Sequence, residues 1–445
     1  MLWCIYCIFF IFTHRPYEYT NTLVQLQDQC YPSTINDIND LFVLDTGKSI
    51  HETFDYFDPA PIGVASLAQV HKALYKGQEV AVKIQHPSLK KYTDLDIETT
   101  VSAVKIVKYF FPDFEFGWLA DEMKINLPLE MDFSNEGSNI LKVSSNFTGH
   151  PVLVLPKVFD SRPRILIMEF CQGTRIDNHE FLRGNNIAVD QLSSQLSKIF
   201  NQMIFKDGFV HCDPHSGNIF VKSRKLPWYK TIPLVSTLCF RNSFNFEIVL
   251  LDHGLYKTLD RDFVLNYANL WDSIIRADEA AIEKYSYNIF KNSERVSKNG
   301  IDHHRLFASM LTGRSWEAIT GSGLATESTQ HERNVILRKA GEGDFFAAVA
   351  GILAKCPGEL LLLLKTNDLL RAIDKSLKIT GSNKEQLVRS ISSMGWFCEQ
   401  VILKEAESSI QGIKIFKLSY WKHRFHFWVV GLRLYVMEYG WNIIG

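Results

Sequence analysis

Residues 209–220 read FVHCDPHSGNIF. His211, Asp213, His215 and Asn218 fall within eight residues, between Phe209-Val210 on one side and Ile219-Phe220 on the other. A loop left to water needs no such flanks; these polar groups are held between residues that seek burial. Asp213 and Asn218 stand five apart. At that spacing a carboxylate can orient a hydroxyl or accept its proton, while the amide oxygen offers a hard ligand to Mg2+. The bland reading is a polar turn closed by its own aspartate. A zinc site of His211, Asp213 and His215 is a rival, but it leaves the charged residues described next without a role.

Downstream, IVLLDHG (248–254) reads as a short buried strand followed by a turn, with Asp252 placed to meet a metal. Upstream, QVHKALY and EVAVKIQ read as a hairpin turning at KGQ, and Val80, Val82 and Ile84 alternate with Ala81 and Lys83. Lys83 stands where the VAIK lysine of a kinase meets the ATP phosphates, although a strand lysine facing solvent is the ordinary alternative. Asp213 and Asn218 then match the spacing of a kinase catalytic loop, and LDHG matches D-F-G with His253 in the phenylalanine position. Each piece alone has a bland reading. Their order, strand lysine, then Asp213 and Asn218, then Asp252, points to a site for ATP and Mg2+. The front loop departs from G-x-G-x-x-G: Gly63 is followed by Val-Ala-Ser-Leu-Ala, a stiffer turn with less room for amides to wrap a triphosphate.

The rest of the chain frames this set. Its 445 residues suit two lobes rather than one small core. A formal charge of −1 and the lack of a basic tract exclude nucleic acid as an expected partner. The 8 cysteines are scattered, so neither a disulfide framework nor a zinc module is expected; Cys4 and Cys7 form a CxxC with no second pair. Residues 17–53 show no strong period. Helices are expected over 91–110 and about 117–131, strands in PVLVLPKVF and RILIMEFCQG, and a helix from Asn186 to Lys206. From Asp260 the pattern is mostly helical, with a Gly/Ser/Thr-rich loop at 319–330. The five leucines of PGELLLLLKTNDLLRAID (357–374) read as a core helix or, alternatively, a membrane-facing one, with Lys365, Asp368 and Arg371 spaced for surface pairing. WKHRFHFWVV (421–430) suits an interface.

GVASLAQVHKA, VAVKIQHP, LPLEMDFSNEGSN, FVHCDPHSGN and LLDHG together resemble the UbiB/ABC1 (aarF-domain) family of atypical kinases, and FPDFEFGWLADEMKINLPLEMDF with LLDHGLY resembles its mitochondrial aarF-domain kinase branch. The resemblance covers residues 57 to about 375. It implies an α+β, two-lobed kinase-like fold, with a small sheet-containing N-lobe and a mostly helical C-lobe. It implies an alanine-rich nucleotide loop of Gly63, Ala65, Ser66 and Ala68, and a hinge at MEFCQG that brings Glu169 and Cys171 near the adenine. It places the lysine's acidic partner at Glu130, with Asp132 and Glu136 behind it; spacing alone would choose Glu98, which is kept as a surface residue. Lys83, Glu130 and Asp213 are then the catalytic set, and Asn218 and Asp252 the metal ligands.

The implied domains are an apolar segment at 1–16, open between a signal, an anchor fragment and a misplaced gene start, an N-terminal extension at 17–56, an N-lobe at 57–174, a C-lobe at 175–375 and a helical extension at 376–445. Within the C-lobe, 221–246 reads as an insertion, since thirty-three residues separate Asn218 from Asp252. The family's K-x-G-Q helix has no match ahead of YTNTLVQLQDQCYPST, and Ser216 stands where the family usually has proline. The implied activity is an ATP- and Mg2+-dependent kinase or ATPase of the mitochondrial inner membrane or intermembrane space, acting in lipid or quinone homeostasis with membrane association. A nucleotide-binding pseudokinase adaptor is the alternative. A small-molecule kinase of the aminoglycoside type shares the Asp and Asn geometry, but the sequence from Leu127 to Asn139 speaks against it.

Overall fold

The computed structural model describes residues 31–110, 117–225, 244–290, 302–322, 355–377 and 383–409, with parts of 349–353 and 421–432. The apolar segment, the Cys4-Cys7 pair and most of the inserted stretch lie outside the described residues.

Strands β1 (Tyr56–Phe57), β2 (Gly63–Val64), β3 (Ala68–Tyr75), β4 (Gln78–Gln85), β6 (Val158–Ser161) and β7 (Ile165–Glu169) form one sheet in the order β1-β3-β4-β7-β6, with β2 on β3. The β3–β4 hairpin is the one read from the sequence. It closes at Lys76-Gly77, both left-handed with φ of 50° and 75°, the geometry of a tight two-residue turn. Val80, Val82 and Ile84 of β4 pack beneath helix α1 (Ile35–Thr46), with Ile38, Leu41 and Phe42 buried against them. The period of α1 is weak, but its ends are well marked: the Thr34 hydroxyl caps the Asp37 N–H, and Gly47 ends the helix at φ 77°. Ala81, on the other face, is also buried, in a cluster with Phe133, Ile140 and Leu166. The strand is therefore covered on both sides rather than half-buried.

Helices α2 (Ile50–Thr53), α3 (Leu89–Phe110), α4 (Gly117–Glu130) and α5 (Phe133–Asn146) complete this lobe. The bounds of α3 and α4 follow the sequence reading within two residues. PVLVLPKVF splits at Pro156: β5 (Leu153–Val154) joins a second sheet while β6 joins the first, because proline cannot donate to a continuing ladder.

The second sheet, β5-β11-β10-β8, joins β8 (Thr174–Arg175), β10 (Ile219–Ser223) and β11 (Phe246–Leu250). Strands β10 and β11 pair antiparallel from Ile219↔Leu250 to Ser223↔Phe246, so 221–223 and 246 belong to the hairpin itself. The short strands β9 (Phe209–His211) and β12 (Tyr256–Thr258) pair beside it. Helices α6 (His179–Gly184), α7 (Val189–Asn201), α8 (Arg261–Arg276), α9 (Glu279–Ile289), α10 (His303–Thr312), α11 (Gly358–Ser376) and α12 (Asn383–Ser408) surround these strands over one large apolar core. Helix α7 ends in a π-turn, Gln202–Asp207, that leads into β9. The leucine run of α11 belongs to the core, since Leu360, Leu362, Leu363 and Leu364 are buried. Among the described residues no helix is long and apolar enough to cross a membrane. The two-lobed α+β architecture expected from the sequence is present.

Candidate functional site

Lys83 projects from β4 into the space between the lobes. Its ammonium lies 2.8 and 3.0 Å from the two carboxylate oxygens of Glu136 and 3.5 Å from Asp252. The lysine's partner is therefore Glu136, not Glu130 as expected. The reason is local. Asp132 accepts from the Ser134 N–H and starts α5, so Glu136 falls one turn inside that helix and faces β4. Gly137, next to it, lets the helix approach the sheet; a Cβ there would stand 2.5 Å from the Ser161 Cβ. Burial disfavours the Lys83 ammonium, but Asp252 and Glu136 outweigh it and hold the group charged. Burial likewise pushes the Glu136 carboxyl up, against the pull of Lys83. Glu98 is exposed on α3.

Glu130 ends α4 half-buried. Burial first, and then the charges of Asp213 and Asp252, push its carboxyl up to about 7, with Lys365 acting in the opposite sense. Glu130 thus belongs electrostatically to the group around Asp213.

The stretch from His211 to Asn218 folds as a chain of short turns. The Asp213 N–H donates to His211 Nδ1 at 3.0 Å, the His215 N–H to the Asp213 carbonyl at 2.9 Å, and the Gly217 N–H to His215 Nδ1 at 3.1 Å. Both histidines thus spend a ring nitrogen on the backbone, and burial keeps His211 neutral at about 4. Asn218 donates through Nδ2 to the Asp213 carbonyl at 3.3 Å, which settles which end of its amide is oxygen and leaves Oδ1 for a cation. Arg175 supports the loop through the Ser216 hydroxyl at 2.9 Å, a contact that proline could not make.

Asp252 follows β11. Its Oδ1 accepts from the Gly254 N–H at 2.9 Å and its Oδ2 faces Lys83. Burial would raise its pKa, but Lys83 and then the Gly254 N–H outweigh that and hold it well below the usual carboxylate range. An ionised carboxylate and an amide oxygen from two segments are hard donors that suit Mg2+, whose remaining positions nucleotide phosphates and water fill. His253 anchors the turn. Its Nε2 donates to the Leu250 carbonyl at 3.1 Å, so Nδ1 accepts from the Tyr256 hydroxyl at 2.9 Å. Its own N–H reaches Glu136 at 3.3 Å, and its carbonyl accepts from Asn139 at 2.9 Å.

The expected nucleotide loop is a tight turn. Gly63 and Val64 pair with β3, and the Ala65 N–H donates to the Ala68 carbonyl at 2.8 Å. His86 braces it, donating from Nε2 to the Ala65 carbonyl at 3.0 Å and accepting at Nδ1 from the Ser33 hydroxyl at 2.8 Å. The sequence reading missed His86; its place at the end of β4, opposite the loop, is the signal that would have found it. Ser66 is exposed at the turn and Ala68 is buried beneath it. Glu169 ends β7 exposed, and Cys171 beyond it is half-buried with its thiol pushed up to about 11 by burial and Glu169.

One further residue arrives from far along the chain. Lys365 of α11 is not a surface residue as its spacing suggested: its side chain is 14 % exposed and its ammonium lies 3.0 Å from Asp213 Oδ1. Burial would raise the Asp213 pKa, and the Lys365 charge, followed by His215, overturns that and lowers it. The pairing of Arg371 with Asp368 at 3.5 Å is as expected.

Comparison with known proteins gives this arrangement a lineage. Residues 25–286 match the ABC1 atypical kinase-like domain. The chain is 38 % identical to the ABC1 family protein MCP2 homolog of Schizosaccharomyces pombe, over 91 % of this chain and 69 % of that protein. It is 40 % identical to AarF domain-containing protein kinase 1 of Mus musculus, over 81 % of this chain and 64 % of that protein. ABC1 family protein MCP2 of Saccharomyces cerevisiae is 37 % identical, over 88 % of this chain and 66 % of that protein. The chain thus spans about two-thirds of the length of these relatives. It belongs to the ABC1 atypical kinase-like family.

Proposed function

We propose that this chain binds ATP with Mg2+ and transfers or hydrolyses the terminal phosphoryl group, as an atypical kinase or ATPase. The observation that carries the reading is the Lys83–Glu136 pair set against Asp252, because it places a buried cation beside a carboxylate kept ionised for a metal. Lys83 would meet the phosphates, with Glu136 fixing its position. Asn218 Oδ1 and Asp252 would hold Mg2+, which supplies charge neutralisation for the phosphate oxygens. Asp213, kept ionised beside Lys365, suits orienting an acceptor hydroxyl or water better than strong proton abstraction. Glu130, with its carboxyl near 7, is able to hold or release a proton at neutral pH. Gly63, Ala65, Ser66 and Ala68 would cover the phosphates, and the backbone around Glu169 and Cys171 would meet the base.

Family resemblance supports action in mitochondria, on lipid or quinone homeostasis at the inner membrane. The exposed Trp421, Phe425 and Trp428 near Lys422 and Arg424 suit the membrane association in that proposal.

The test is Mg-ATP binding by thermal shift, run beside phosphate release in liposomes, with Asp252→Asn as control. A Mg-dependent shift with turnover that the control loses supports the enzyme. A shift without turnover supports the pseudokinase adaptor, which the single-glycine front loop also favours. The absence of any shift refutes both.

A further inference from the structure

Lys365 reaches the catalytic loop from a helix that begins more than a hundred residues beyond Asp252. Helix α11 is fixed before the lysine is placed. Leu360, Leu362, Leu363 and Leu364 anchor it in the core, and the Asn367 amide donates to the Tyr267 hydroxyl at 3.2 Å. Lys257 of β12 meets Glu359 at 3.7 Å. The Lys365 side chain is only 14 % exposed, and its ammonium is directed onto Asp213. Holding a lysine in one buried conformation costs side-chain entropy and desolvation, which a surface lysine avoids.

The bland account is a brace for a half-buried carboxylate. The geometry offers more. Two lysines flank the cleft, one per lobe, each on a carboxylate of the second lobe: Lys83 with Asp252 and Lys365 with Asp213. Lys83 keeps its second partner Glu136 when a metal claims Asp252. Lys365 lies on the side where an acceptor must approach, since that is where Asp213 lies. Charge that builds on the three oxygens of a transferring phosphoryl group is therefore met by a cation on the donor side and needs one on the acceptor side.

We propose that Lys365 is a catalytic residue for phosphoryl transfer, its ammonium moving from Asp213 Oδ1 to an oxygen of the γ-phosphoryl group of bound Mg-ATP. The bond between the γ-phosphorus and the β,γ-bridging oxygen breaks, and ADP leaves with the bonding pair. A bond forms from the acceptor hydroxyl or water to phosphorus, and the acceptor's proton passes to Asp213 or to solvent. Lys365 itself neither gains nor loses a proton. The assignment rests on the Mg-ATP reading above and extends it to the acceptor side.

The experiment compares the affinities of a non-hydrolysable Mg-ATP analogue and of Mg-ADP for the full chain, for Lys365→Met and for Lys365→Arg. Loss of one charged contact to the γ-phosphoryl group predicts about tenfold weaker binding of the analogue by Lys365→Met, with Mg-ADP unchanged and Lys365→Arg close to the parent. Equal weakening of both nucleotides, or of neither, overturns the proposal and leaves Lys365 a brace. Since Lys365→Met leaves half-buried Asp213 without its cation, the same comparison is made in an Asp213→Asn background, where that charge is absent. A parent chain that binds neither nucleotide overturns the Mg-ATP reading itself, a result distinct from failure of the Lys365 assignment alone.

Discussion

Replacing Glu136 with glutamine tests the arrangement most directly, because Glu136 and Glu130 lie six residues apart in one motif and the structure gives them different roles. Glu136→Gln keeps the shape and removes the charge that holds Lys83. The side chains are 14 % and 2 % exposed, so little water is at hand to take over. Breaking a buried pair by removing one partner costs about 3–5 kcal/mol. Asp252, 3.5 Å from the same ammonium, remains as a second anion, so the lower end, about 3 kcal/mol, is expected. At about 2 °C per kcal/mol for a chain this long, the Tm falls by roughly 5–6 °C. The loss should grow with Mg-ATP present, since a metal drawing on Asp252 leaves Lys83 with no carboxylate. Differential scanning fluorimetry with and without Mg-ATP, run in parallel on Glu136→Gln and Glu130→Gln, reads both effects. The reasoning is refuted if Glu136→Gln melts with the parent while Glu130→Gln loses both stability and the Mg-ATP shift.

Three other perturbations probe the surroundings. His253→Phe restores the usual aromatic of this motif but strands the Leu250 carbonyl and the Tyr256 hydroxyl, so chemical denaturation should show a loss of about 1–3 kcal/mol; a gain would mean the ring acts by shape alone. Gly137→Ala drives a methyl into Ser161 and should destabilise by about 1–3 kcal/mol, with Ser161→Gly recovering most of it; an unaffected single variant would show that α5 is free to move off the sheet. Glu130 has its carboxyl raised from 4.5 to about 7 in the fold, so the unfolded chain gives up this proton first as pH rises and stability falls between those values. Urea unfolding at pH 5 and pH 8 should show the parent losing more stability on going to pH 8 than Glu130→Gln does, and equal losses would remove Glu130 from the buried acidic group.

What the sequence disclosed was what local spacing encodes. The β3–β4 hairpin shows because alternation and Lys76-Gly77 agree, and Lys83, Asp213, Asn218 and Asp252 show because each lies in a short fixed pattern. Glu136 was misassigned for a physical reason: the choice between two glutamates depends on where a helix starts, and that start is set by the Asp132 cap. The same stretch did carry the clue, since Gly137 beside Glu136 marks a close approach that nothing beside Glu130 requires. Helix α1 was missed because its apolar period is weak, although Thr34 and Gly47 bracket it. Lys365 could not be reached at all by spacing. Its i,i+3 relation to Asp368 suggests a surface pair, and only the packing of α11 turns it inward to Asp213.

That packing bears on how the site can move. In many switchable sites a helix carrying the lysine's partner swings independently of the metal-binding turn. Here Glu136 and Asn139 of α5 hold the backbone N–H and carbonyl of His253, while the His253 ring is held at both nitrogens by Leu250 and Tyr256. Asp252, the lysine's partner Glu136 and the start of β12 are thus tied through one residue. Displacing α5 alone would break two hydrogen bonds to His253 as well as the Lys83 pair, so a cheap swing of that helix is not available to this fold. Control of the site has to act on parts outside this tie. Those are the front loop, held to the N-terminal segment through His86 and Ser33, and the Lys365–Asp213 pair, which joins the loop after β9 to α11 rather than to α5.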